Sequence, residues 1–209
     1  MNLPSLKQCH DLFSYYQVPS PIRLHCQTVS QVATFLAQQL NKNNFSINIE
    51  IVQRLSLLHD LLKVVVLENL DYPPMNFIAN ELEIAMHKKL KQQFPHTNEV
   101  RAAHLIFKNE YPEFAQLFLE LEEFTKNPTA NISAETHLVH YTDYRIMNNE
   151  ILLLDERMSQ LYNRYEHFIK KKNIDWGKVK KILWEYEQNI FKHLDFKPEE
   201  LKQKMIITQ

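Results

Sequence analysis

The chain has 209 residues, 44% of them hydrophobic, and its 24 lysines and arginines nearly balance 25 aspartates and glutamates, for a formal net charge of −1. That length and apolar content suit one domain with a sizeable core, and the even charge gives no reason to expect nucleic acid as a partner. A single glycine, Gly177, excludes glycine-rich phosphate loops of the GxGxxG or GxxxxGK(S/T) kind and, with many Leu, Lys, Glu and Gln, favours an all-α chain.

The opening text, MNLPSLKQCHDLF, lacks the apolar segment of a secretory signal, and no run approaches the roughly 18 apolar residues of a membrane span. The expectation is a cytoplasmic protein with no membrane partner. Cys9 and Cys26 are too few and too far apart for a disulfide framework or a cysteine-rich zinc site, which fits a reducing compartment.

Pro19 and Pro21 punctuate the approach to a first long helix, about Ile22 to Leu40, whose inward positions read His25, Val29, Val32, Leu36 and Leu40. After NKNNF, a helix from about Asn48 to Leu67 carries Val52, Leu55, His59 and Leu62 on one face, with Asp60 about 100° around from His59. Further helices are expected over Ala79 to Gln93, Asn98 to Asn109, and from Pro112 onward. The longest periodic stretch, Ala134 to Lys171, has Asp143 as the acidic exception on an apolar side, and a last helix follows the capping residue Asp175 to about His193. Basic runs at His87 to Lys91 and from Lys170 towards Lys181 read as solvated helix faces. There is no internal repeat.

His25, His59, Asp60 and Asp143 fall on or beside apolar stripes, where an uncompensated charge or imidazole is expensive. Taken singly, each has a plain explanation. A histidine on an apolar face is usually a satisfied core residue, Asp60 can pair with Lys63 one turn on, and Asp143 can pair with Arg145 or Arg54. Together they supply nitrogen and oxygen donors suited to a divalent ion, with coordination positions left for water and substrate.

The pattern H…HD…D, in the local text RLHCQTVSQVATFLAQQL, LLHDLLK and YTDYRIMNNEILLLDERMSQLYNRY, resembles the HD-domain superfamily of metal-dependent phosphohydrolases, in particular its small stand-alone bacterial members. The resemblance implies an HD-domain-like helical bundle, with a core over about 22–165 and a helical extension over about 166–209. It implies that His25, His59, Asp60 and Asp143 hold one divalent metal ion (Mn, Co, Ni, Fe, Zn or Mg). Asp60, Lys63 and Arg145 are the residues expected to carry catalysis. Lys63 matches the lysine of HDxxK, and Arg145 a basic position after the last aspartate, while Arg23 and Arg54 are further candidates to balance phosphate charge.

Two-metal members place two more histidines between the doublet and the last aspartate. Here Asn98 stands at the first of these positions, and the second is replaced within FLELEEF, so a one-metal site is expected, with His87, His96 and His104 as possible substitutes. Glu81, Glu83 and Glu99 are the acidic residues available to protonate a leaving group. The function so implied is hydrolysis of a nucleotide or other small phosphomonoester. The alternatives are a non-catalytic HD module that binds a metal or nucleotide for a regulatory or structural role, and an interaction protein using its basic carboxy-terminal helix.

Overall fold

Helix starts in this chain are set by side chains that accept the free backbone N–H groups of the first turn. In the computed structural model, which describes residues 1–126, 131–171 and 173–207, Ser5 and Gln8 form a capping box for α1 (Leu6–Tyr15). Helix α2 (Ser20–Lys42) starts on Pro19 and Pro21, and Asn48 caps α3 (Ile49–Leu58). Asn80 and Glu83 box the start of α4 (Glu81–Gln93), and Asn98 caps α5 (Glu99–Phe107). Then come α6 (Pro112–Lys126) and α7 (Ala134–Asp143), the latter capped by Ser133. A hairpin of β1 (Ile146–Met147) and β2 (Glu150–Ile151) leads to α8 (Leu154–Lys171), α9 (Trp176–Phe191) and α10 (Leu201–Ile207). The fold is all-α, and among the described residues no helix is long and apolar enough to cross a membrane.

Scarcity of glycine shapes the turns. Among the described residues, six non-glycine residues take the left-handed conformation, four of them asparagines: Asn44, Asn76, Asn148 and Asn173, with Gln17 and His96. Asparagine tolerates that region best after glycine, because its short amide can hydrogen-bond locally.

Helix α2 packs most extensively on α3, and α7 lies across both. The principal core takes Val29, Val32 and Leu36 from α2, Val52, Leu55 and Leu58 from α3, and Leu138 and Val139 from α7, all but excluded from solvent. Each such side chain contributes about 1.5–3 kcal/mol of transfer free energy. This core also draws in Cys9 and Phe13 from α1, and Ile190, Phe191 and Leu201 from the carboxy-terminal segment. A second, smaller core of Phe124, Leu154, Met158 and Leu183 lies beneath α8 and α9.

Four elements differ from expectation. The helix over Asn48 to Leu67 stops at Leu58 and continues as a turn and a short 3-10 segment, Lys63–Val65. Residues Leu57 to Val65 are buried almost throughout, so their apolar run reads as helical whether or not the helix continues. The stretch from Ala134 to Lys171 is broken by the hairpin, where Asn148 turns the chain with φ 58°. Helices α1 and α10 were not anticipated.

Candidate metal centre

Mutual packing of α2, α3 and α7 brings three distant residues to one point. His25 lies in the second turn of α2, His59 directly follows the last residue of α3, and Asp143 is the last residue of α7. His25 Nε2 is 2.9 Å from Asp143 Oδ1, and His59 Nε2 is 3.6 Å from the same oxygen. One donor atom from each of the three lies within 4.8 Å of the others, so the cluster could hold a metal ion.

The imidazole of His59 is set up as a ligand. Its Nδ1 donates to the Ser56 carbonyl at 2.7 Å, which fixes the ring and leaves the Nε2 lone pair facing the cluster. That Nε2 is buried and has no hydrogen-bond partner. A buried, unpaired ring nitrogen is costly unless something coordinates it, and a divalent cation fits the N, N, O donor set around it.

The electrostatics agree. Burial alone would lower the His59 pKa, yet Asp60 and, less strongly, neighbours including Asp143 overcome it and hold the pKa well above the ordinary imidazole value. Burial would raise Asp143, but the hydrogen bond from His25 and the nearby His59 imidazole keep its carboxyl well below the usual range. The cluster therefore favours positive charge at its centre, supplied by a proton when no ion is bound.

Asp60 borders this cluster. Its Oδ2 lies 3.9 Å from His59 Nε2, and its Oδ1 lies 3.4 Å from Lys63 Nζ. Lys63 also donates to Glu99 Oε1 at 2.7 Å, and these two carboxylates outweigh burial and raise its pKa. The pairing of Asp60 with Lys63 and its place beside the imidazoles thus coexist. The Cys26 thiol sits behind His59, and burial pushes its pKa up, which keeps it protonated.

A cavity of about 750 Å³ opens over the cluster, lined by His25, His59, Asp60, Lys63, Glu99 and Asp143. Its remaining walls are largely apolar and aromatic, with Tyr72, Tyr144, Tyr165 and Trp176 among them.

Arg145 is not part of this lining, contrary to the role given it from sequence. It is 1% exposed, and its donors are consumed by Leu152 O, Tyr141 Oη, Glu187 Oε2 and Pro198 O. The turn after α7 carries its side chain into the core while Asp143 faces the cavity. Asp143 pairs with neither Arg145 nor Arg54 but with His25. Arg54 is spent on Pro4 O and Glu50 O, and Arg23 donates to Val18 O.

Asn98 lines the cavity, where it caps α5 and donates to Glu122 Oε1 at 2.9 Å; Glu122, from the FLELEEF run, also accepts from Arg101 at 2.7 Å. None of the substitute histidines joins the cluster. His87 meets Leu67 O, His104 meets Ala115 O, and His96 is an exposed turn residue with φ 57°. Of the acidic candidates, Glu99 reaches the cavity, whereas Glu83 caps α4 and Glu81 is exposed.

Sequence reasoning missed Arg157 and Arg164, which line the cavity from α8. Their spacing of one heptad was the available signal, but on an amphipathic helix it reads as a solvated face. In the basic carboxy-terminal run, Lys170, Lys180 and Lys181 pair with Glu166, Asp155 and Glu185; Lys172 lies outside the described residues. A scan against protein-family models, a search of curated proteins and a search of solved structures each return no match.

Proposed function

We propose that the protein is a metal-dependent phosphohydrolase, resembling HD-domain enzymes, that acts on a nucleotide or another small phosphomonoester. The carrying observation is the unpaired, buried Nε2 of His59, facing Asp143 and His25 at the base of a substrate-sized cavity. In this reading His25, His59, Asp60 and Asp143 hold one divalent ion of the Mn, Co, Ni, Fe, Zn or Mg class. Bound there, such an ion supplies a water acidified towards about 7 and polarises a phosphoryl oxygen.

The protein's own part is positioning. Ser56 orients His59, Lys63 holds Asp60 and Glu99, and the apolar walls lower the local dielectric and so strengthen the charges inside. The bond between Asn98 and Glu122 satisfies the residues standing where a second set of histidines would lie, which supports a one-ion site.

A second reading, a regulatory module that binds a metal or nucleotide without turnover, is favoured by that same absence of second-site imidazoles. Elemental analysis of the purified protein, followed by a screen of nucleotides and sugar phosphates with added Mn²⁺, Co²⁺, Ni²⁺ or Mg²⁺, separates the two. Metal-dependent release of phosphate is the expected result. Bound metal with no turnover on any phosphate ester selects the regulatory reading.

A further inference from the structure

Positive charge in the cavity is unevenly committed. At the metal cluster, Lys63 is engaged by Asp60 at 3.4 Å and Glu99 at 2.7 Å. A cation neutralised twice offers an incoming anion little net attraction. On the α8 wall the situation is reversed. Arg157 and Arg164 line the same cavity and have no ion pair among the described residues, although nearby Lys170 and Lys180 are paired with Glu166 and Asp155.

Arg157 Nε is buried and lacks a hydrogen-bond partner. A guanidinium donor held out of water without an acceptor is costly, and a ligand oxygen is the group that could relieve it. Arg164 stands one heptad further along α8, within about 20° of the same face, with its guanidinium 5.5 Å from the Tyr165 ring centre. Arg157 shares the lining of this cavity with Tyr144, Asp143 and the two imidazoles, so the α8 guanidinium borders the same space as the metal cluster.

We propose that Arg157 and Arg164 form the oxyanion-binding subsite of this cavity. Arg157 grips the phosphoryl group of a phosphate monoester and Arg164 draws it in from the mouth, whereas Lys63 positions Asp60 and Glu99. Guanidinium suits this role because its planar fork matches phosphate oxygens two at a time and never loses its charge. The assignment rests on the phosphohydrolase reading for its ligand, yet it is tested by binding and not by turnover.

The probe is inorganic phosphate, titrated calorimetrically into the full chain in EDTA and again at saturating Mg²⁺, with Co²⁺ titrations run in parallel. Arg157→Gln is expected to weaken phosphate binding about ten-fold or more in both conditions and leave Co²⁺ affinity unchanged. Arg164→Gln, at an exposed position that the fold does not need, should weaken it less, and Arg157→Lys should restore it only in part because a lysine lacks the fork. Wild-type phosphate affinity in both glutamine variants, or no phosphate binding by the wild type in either condition, would overturn the subsite. Arginine-dependent phosphate binding in a protein that hydrolyses no ester would keep the subsite and reject the enzymatic reading, so the two failures are distinct.

Discussion

The end of α7 carries two opposite charges two residues apart, and their surroundings could hardly differ more. Arg145 is enclosed with Tyr141 and Glu187, and each of its three guanidinium nitrogens donates within the protein, at 2.6 Å to both the tyrosine oxygen and the carboxylate. Asp143 shares one oxygen with two imidazoles, leaves a ring nitrogen of His59 unpaired, and faces a cavity. A closed network holds a fold together, whereas an open one waits for something from outside. What separates structure from function here is saturation of donors and acceptors, and not the presence of charge.

The largest expected effect comes from breaking the closed side. Arg145→Ala strands Glu187 in the core, and losing one partner of a buried pair costs about 3–5 kcal/mol, read by chemical denaturation. A loss below about 1 kcal/mol, as for an exposed pair, would erase the contrast. On the open side, Asp143→Ala should reduce divalent-metal affinity by about 100-fold or more, roughly 2.7 kcal/mol, with a smaller loss of fold stability. Elemental analysis combined with a melting curve measures both. Metal retained at wild-type level would show that the cluster is not the centre of binding.

A pH series sharpens the comparison further. Because the folded state raises the His59 pKa, that contribution to stability is complete below about pH 6.5 and is lost as pH rises through the folded value. Asp60 and Asp143 are depressed, so theirs is present above the usual carboxylate range and is lost as pH falls through their folded values. Metal-free protein should therefore lose stability on the alkaline side. A bound ion, which needs His59 unprotonated, should remove that loss, and its apparent affinity should rise with pH. Thermal melts from about pH 5 to about pH 9, with and without Co²⁺, give the answer; a flat metal-free profile above neutrality would contradict it. The smallest effect belongs to the rim. Arg101, 55% exposed at the side chain, pairs with Glu122, which Asn98 continues to satisfy without it, so Arg101→Gln should cost about 1 kcal/mol and leave metal binding intact, as a melt and a Co²⁺ titration would report.

That His25, His59 and Asp143 form one cluster was legible in the sequence because an imidazole or carboxylate on an apolar helical stripe has few cheap explanations, and three of them in one chain have fewer. Arg145 was misread for the opposite reason. Nearness in sequence to Asp143 suggested nearness in role, but residues two apart at a helix end point to different sides. The end of α3 was hidden because the leucines and valines of Leu57 to Val65 are spread all round the helix axis between His59, Asp60 and Lys63, so no face reports a change of period. The hairpin after α7 was hidden because asparagine made its left-handed turn in place of glycine. Arg157 and Arg164 could not be told from solvent-facing arginines until the cavity beside them was visible.

Cys26 gives the site one more property. The thiol lies beside His59, and burial raises its pKa, so without an ion the sulfur is held as a neutral thiol and not as a soft anionic donor. The donors that remain are imidazole nitrogens and carboxylate oxygens, all hard or borderline. That donor set suits borderline and hard divalent ions.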